Sequence, residues 1–136
     1  MKHPPGLMPL SAAHDAALRL AVQIAESRDD ASIVALMESV PATFAREIEP
    51  HLVEEESTLL RKLDEAGEDE LVQRTLAEHR NLRDLVAQIS AGDRDSLQLF
   101  WIALHALVRF EEREVFRVAE AVLPDAVLNR PLSPDK

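Results

Sequence analysis

Apolar residues recur at every third or fourth position along most of this chain, and this spacing predicts amphipathic helices. Strand-like alternation is missing from the long segments, which are rich in alanine, leucine, glutamate and arginine, all good helix formers. Only 3 glycines interrupt the pattern. We therefore predict an all-α fold.

The stripes and the turn residues between them predict four long helices. They run from Ser11, as N-cap, to Ser27, from Pro41 to the AGEDE stop at 66–70, from Glu68 to Ser90, and from Asp93 or Asp95 to Leu123. A short helical lead-in at 33–37 precedes the second of them. Their short connections favour an antiparallel up-down-up-down four-helix bundle, in which neighbours pack at about 20°. We expect a flexible N-terminus at 1–9, the bundle at 10–124 and a C-terminal tail at 125–136.

Pro50 lies inside the second predicted helix, immediately before His51. Proline removes one backbone hydrogen bond, so a bend is expected at this point. A kink that the helix tolerates is favoured over a functional role for the bend.

Charge and composition exclude several classes of function. The net charge of -10, from 25 acidic and 15 basic residues, repels nucleic acid and offers no basic patch. No run of about eighteen uncharged apolar residues predicts a membrane helix, and the N-terminus lacks the pattern of a signal peptide. We expect a cytoplasmic protein that binds neither nucleic acid nor membranes. Cysteine is absent, so any metal must be held by imidazole and carboxylate groups.

Histidine occurs once in each predicted helix, on or near the apolar stripe, at His14, His51, His79 and His105. A lone histidine of this kind is more often a hydrogen-bonded core residue, but their joint placement favours a metal site at the bundle centre. Glu55 lies four residues after His51, so both project from one helix face. A buried carboxylate needs a cation, a proton or a strong donor. For this pair alone, a hydrogen-bonded arrangement near a bundle end explains the spacing equally well.

Four segments carry a resemblance to the bacterial hemerythrin-like proteins, also called HHE cation-binding domains. They are the helix with His14, HLVEEESTLL at 51–60, LAEHRNLRDL at 76–85 and VRFEEREVF at 108–116. The resemblance covers about residues 8–124. It implies an antiparallel four-helix bundle around a non-haem, usually di-iron, centre that binds oxygen or related small ligands, or takes part in iron and redox sensing.

The resemblance implies the ligands His14, His51, Glu55, His79 and Glu111, with the two glutamates as carboxylate bridges. This chain departs from the family at two positions. Leu107 stands where a histidine commonly precedes the last glutamate, and Arg83 stands where hemerythrins carry a second histidine on the third helix. Neither residue replaces an imidazole.

His105 is the candidate substitute for the missing ligand on the last helix. It lies two residues before Leu107, about 200° around the helix, and aligns with Glu112 instead. A rim position beside Glu112 is therefore favoured, and a π-bulge is one way to turn His105 inward. We expect a depleted site, with one iron held well and a second weakly or not at all, or with no metal. Arg83 would then pair with a vacated carboxylate such as Glu55 or Glu111.

Three functions remain open. The preferred one is a non-haem iron protein, di-iron or mono-iron, that binds or senses oxygen, nitric oxide, peroxide or iron status; manganese and zinc suit the same ligands. The second is an iron-dependent peroxide or oxygen reductase, so the question of an enzyme stays open. The third, favoured by Leu107 and Arg83, is a metal-free bundle acting as a regulatory or interaction module. The expected partner is a diatomic or peroxide ligand, and the chain is expected to be a monomer or a homodimer.

Overall fold

The computed structural model describes residues 3–133 and confirms the all-α class, with no strand in that range. The helical elements are α1 (Met8–Glu26), α2 (Asp30–Thr43), a π-helical turn π1 (Phe44–Ile48), α3 (Glu49–Ser57), α4 (Leu59–Glu65), α5 (Asp69–Ser90), α6 (Asp95–Phe110), a second π-helical turn π2 (Glu111–Val115), α7 (Phe116–Val122) and α8 (Asp125–Leu128). Parts of the two predicted termini, residues 1–2 and 134–136, lie outside the described range.

The second predicted helix begins earlier than the sequence suggests. Asp29 caps α2, and its side chain accepts a hydrogen bond from the backbone N–H of Ser32 at 3.3 Å. Pro41 therefore lies inside α2 rather than in a first turn. The prediction was wrong because an aspartate cap competes with proline as a start signal, and the earlier cap sets the start of the helix.

The predicted bend at Pro50 coincides with a change of helical geometry. In π1, the N–H of Glu49 donates to the carbonyl of Phe44, five residues back. Pro50 follows in the first turn of α3, where its missing N–H removes no hydrogen bond that the turn needs. The chain passes directly from π1 into α3, so His51 lies in the first turn after the wider segment.

The N-terminal segment packs against the C-terminal one. Leu7 is fully buried, and the N–H of Gly6 donates to the carbonyl of Leu128 at 2.6 Å. A Cβ on Gly6 would lie 2.8 Å from the carbonyl oxygens of Leu128 and Arg130, so only glycine fits this contact. The predicted cap Ser11 does not cap α1, which begins at Met8 with no side-chain cap; its hydroxyl bonds to a glutamate on π2 instead.

The longer helices pack against one another around one interior. Helix α1 packs on α6, α6 on α5, and α5 on α2, while α1 also contacts α3 and π1. The interior is lined mainly by leucine, with Phe100 and Phe116 fully buried, and each such side chain contributes about 1.5–3 kcal/mol by leaving water. Within residues 3–133, no helix has the length and apolarity needed to cross a bilayer.

Candidate metal centre

Four ligand-type side chains from different parts of the chain meet in this interior. One ligand atom from each lies within 4.8 Å of all the others, and we call these residues the central group: His14 on α1, His51 and Glu55 on α3, and Glu111 on π2. Glu55 is 0% exposed, Glu111 1% and His14 3%, and His51 is half-buried. His79 on α5, also 0% exposed, lies beside these four residues and is the fifth carboxylate or imidazole group of this interior.

Glu111 is well supplied with hydrogen bonds. Its Oε1 lies 2.8 Å from His14 Nε2, and its Oε2 lies 3.2 Å from His79 Nε2. Burial alone would raise the pKa of Glu111, but its interaction with the carboxyl of Glu55 and the hydrogen bonds from the two imidazoles outweigh burial, and the pKa lies well below its usual range. Glu111 is therefore an ionised carboxylate in the centre of the protein.

Glu55 has no such support although it is equally buried. Both of its carboxylate oxygens, and Nε2 of His51, lack a hydrogen-bond partner among the described residues. His79 Nε2 is 3.0 Å from Glu55 Oε1, and His51 Nε2 is 3.6 Å from Oε2, but neither approach has hydrogen-bond geometry. Burial, together with the charge of Glu111, raises the pKa of Glu55 well above its usual range. Without a cation, Glu55 is therefore a protonated acid.

The two histidines closest to Glu55 have opposite electrostatics. Burial and the charge of His14 lower the pKa of His51 to about 4, so its imidazole is neutral at pH 7. Burial also opposes the charge on His79, but Glu111 and Glu55 outweigh it and raise the pKa of His79 to about 10. A neutral imidazole with a free nitrogen is ready to bind a metal, whereas a protonated one must first release a proton. This applies to His79 and also to His14, whose pKa is raised because its bonds to Glu111 and Glu112 outweigh burial.

Two further carboxylates, outside the central group, are hydrogen-bonded to the Nδ1 atoms of two histidines. Glu112 Oε2 lies 2.6 Å from His14 Nδ1, and Glu56 Oε2 lies 2.8 Å from His79 Nδ1. Glu112 is held in turn by His3 Nε2 at 2.6 Å and by the Ser11 hydroxyl at 2.9 Å. These contacts fix both rings with Nε2 turned toward Glu111, which is how outer carboxylates commonly orient metal-binding histidines.

Arg83 pairs with carboxylates outside the central group. Its guanidinium donates to Glu49 at 2.8 and 3.1 Å and to Glu56 at 2.9 and 3.3 Å. The expected pairing with Glu55 or Glu111 was wrong, because the long arginine side chain reaches outward to the half-exposed edge, where 31% of it remains exposed. Its pKa is raised further by Glu49 and Glu56, so it is permanently charged.

Leu107 and His105 are both on the last long helix, as the sequence predicts, but His105 does not belong to the central group. Leu107 is buried and lines a cavity of about 20 Å³ beside His14, His51 and Glu111. A cavity of that size is large enough for about one water molecule. His105 is half-buried, and the hydrogen-bond partners of Glu112, its expected neighbour, are His3, His14 and Ser11 instead.

The sequence analysis missed the outer carboxylates and His3. A signal for the carboxylates was present, because each inner glutamate is followed directly by another, Glu56 in the run of three at 54–56 and Glu112 in the pair at 111–112. Adjacent helical residues point about 100° apart, so one member of each pair faces the centre and the other its flank. The contact of His3 depends on the folding back of the N-terminal segment, and no local pattern predicts it.

The residues present form a donor set of imidazole nitrogen and carboxylate oxygen that suits iron, manganese or zinc. The orphaned atoms of Glu55 and His51 fit such an ion, since it would satisfy both at once. The structure thus contains a buried His/Glu group that could hold a metal ion. Comparisons of the chain with protein-family models, curated proteins and solved structures give no match.

Proposed function

We propose that this chain is a non-haem iron protein of the hemerythrin-like type, which binds or senses oxygen, nitric oxide, peroxide or iron status. Manganese and zinc are alternatives that the same donor set accepts. One observation carries the proposal: both oxygens of the fully buried Glu55 and Nε2 of His51 lack hydrogen-bond partners within a group of four ligand-type residues.

The energetic argument concerns unsatisfied buried groups. A buried polar atom without a partner costs about 1–3 kcal/mol, and more when the group is charged. Three such atoms converge at Glu55 and His51. A chain could avoid this cost with an apolar core at these positions, so their convergence indicates that a ligand completes the site. A cation would satisfy a carboxylate and a neutral imidazole together.

Each residue has a definite part in the proposed centre. His14, His51, Glu55 and Glu111 hold the ion, while Glu112 fixes the ring of His14. When bound, the metal would supply Lewis acidity and, for iron, redox chemistry toward a small ligand. The side chains around the water-sized cavity, including Leu107, exclude bulk water and leave room only for a ligand of a few atoms.

The proposed architecture is the up-down-up-down four-helix bundle. The four bundle helices would be α1, α2 continuing through π1, α3 and α4, α5, and α6 continuing through π2 into α7. The packing of α1 on α6, α6 on α5 and α5 on α2 agrees with this arrangement. The tight turns at Gly67 and Gly92, both with positive φ, also support it, since they reverse the chain over few residues.

Anaerobic calorimetric titration of the metal-free protein with Fe²⁺ tests the proposal, with Glu55→Gln as the variant and Glu54→Gln, on the exposed face of the same helix, as the control. We expect the wild type and Glu54→Gln to bind and Glu55→Gln to bind far less. Exposure of the loaded protein to oxygen, nitric oxide or peroxide should change its absorbance. Catalytic consumption of peroxide would assign the reductase function. Absence of Fe²⁺, Mn²⁺ and Zn²⁺ binding would contradict the proposal.

A metal-free regulatory module is the second candidate. Glu111 is neutralised by His14 and His79, and Glu56 and Glu49 by Arg83, so most of the centre's charge is balanced by protein groups alone. Only Glu55 needs a proton. If the purified chain takes up no metal and remains fully folded, this second function is the one that the structure supports.

A further inference from the structure

The two sides of the centre offer unequal numbers of ligands. Glu55 and Glu111 lie in the middle, and His14 and His51 belong with them to the central group. His79, outside that group, adds one further imidazole, with Nε2 3.0 Å from Glu55 and 3.2 Å from Glu111. The residue one helical turn after His79, where a second ligand on the same face would lie, is Arg83. Guanidinium has no lone pair to offer a metal.

Arg83 is fixed in this place by its own contacts. It makes four hydrogen bonds, two to Glu49 and two to Glu56. Withdrawing it would leave two carboxylates side by side without their cation. Paired bidentate contacts of this kind are among the stronger ion pairs in proteins. Arg83 is therefore held in place by its two ion pairs, and a metal ion would not easily displace it.

The remaining carboxylate bonded to His79 is already committed. Glu56 accepts hydrogen bonds from His79 Nδ1 and from Arg83. A second ion on the His79 side would thus have His79 and shared oxygens of Glu55 and Glu111 as its entire protein ligand set. It would also lie near a fixed positive charge, one carboxylate away from Arg83.

We infer that the centre binds one metal ion rather than two, and that Arg83, held between Glu49 and Glu56, takes the place of a ligand to a second ion. This inference rests on the proposed function. Arg83 supplies positive charge to the carboxylates on its side, and the ion supplies it to Glu55 and Glu111. The single centre leaves His79 as a hydrogen-bond donor at the edge of the metal site.

The test is the number of ions bound per chain. The full-length metal-free protein is loaded with excess Mn²⁺ without oxygen, unbound metal is removed, and manganese and protein are quantified. Electron paramagnetic resonance then distinguishes isolated Mn²⁺ from an exchange-coupled pair. The variant is Arg83→His, which introduces an imidazole one turn after His79. The control is Arg80→His, the same substitution at an exposed arginine of the same helix.

We expect one isolated ion per chain in the wild type and in Arg80→His, and a gain toward two, with a coupled spectrum, in Arg83→His. Two ions in the wild type would overturn the inference and leave the proposed function standing. No ion in the wild type, with Fe²⁺ and Zn²⁺ also failing to bind, would overturn the proposed function and the inference with it. One ion per chain in Arg83→His would contradict the inference that Arg83 takes the place of a ligand to a second ion. The wild-type count stands even if that variant folds poorly.

Discussion

Glu55 and Glu111 belong to two similar segments, in each of which a buried glutamate is followed by a second glutamate that is bonded to a histidine Nδ1. Their surroundings nevertheless differ. Glu111 accepts hydrogen bonds from two imidazoles, whereas neither oxygen of Glu55 accepts one from a residue between 3 and 133. The same local pattern thus gives one carboxylate that the protein satisfies and one that it leaves open. Under the proposed function, the carboxylate without donors, rather than the well-bonded one, is where the added ion is most needed.

The largest effect is expected from Glu111→Gln in the metal-free protein. The substitution removes the charge that pairs with two buried imidazoles, and breaking a buried pair from one side costs about 3–5 kcal/mol. Urea unfolding at neutral pH should show this loss in the free energy of unfolding. Glu114→Gln, at an exposed position of π2, should change it by less than about 0.5 kcal/mol. Equal stability of both variants would remove the distinction between Glu111 and Glu55.

Glu55→Gln should behave in the opposite way. Since Glu55 is protonated without metal, an amide of the same shape should change the unfolding free energy of the metal-free protein by less than about 1 kcal/mol. Metal affinity should fall by more than about 100-fold, beyond the range typical of outer-shell groups. Calorimetric titration measures the second effect, with Glu54→Gln as the control. Unchanged affinity in Glu55→Gln would show that Glu55 is not a ligand.

The second members of the two pairs should also differ. Glu112 orients His14, a member of the central group, so Glu112→Gln should weaken metal binding by about 10–100-fold. Glu56 orients His79, which lies outside that group, so Glu56→Gln should weaken it by less than about 10-fold. Calorimetric titration of both variants with metal gives the ratio of their metal affinities. A larger loss in Glu56→Gln would make His79 a principal ligand.

The most gradual effect, spread over several pH units, is the pH dependence of the stability of the metal-free protein. The pKa of His79 is raised from 6.5 to about 10, so the stabilisation by its charge is fully present below pH 6.5 and is lost as the pH rises toward 10. The free energy of unfolding should fall across that window with a slope of at most about 1.4 kcal/mol per pH unit. The slope should be reduced in His79→Gln. An identical slope in both proteins would assign the alkaline loss to other groups.

The helical class and the inner residues could be predicted from the sequence because both depend on local periodicity. His51 and Glu55 are four residues apart, and a helix places them on one face whatever surrounds it. Other features depend on distant contacts. Arg83 pairs with Glu49 and Glu56 because its long side chain reaches them. Helix α2 begins after Asp29 because this cap precedes the proline that also marks a possible helix start.

The inner glutamates could be identified from the sequence, but their different states could not. Hydrogen bonds to Glu111 come from α1 and α5, which are far from it along the chain. The poor alignment of the His79 and His51 nitrogens with the oxygens of Glu55 is likewise a property of packing. The position of His105 shows the same limit, because its presence on a predicted bundle helix did not bring it into the central group.

The most direct test of a metal in the central group is elemental analysis of the untagged protein purified from iron-replete cells, compared with Glu55→Gln prepared in the same way. We predict about one ion per wild-type chain, with iron foremost among iron, manganese and zinc, and almost none in the variant. Wild-type protein with almost no metal, or equal metal in both proteins, would contradict the assignment of Glu55 and its neighbours as a metal site.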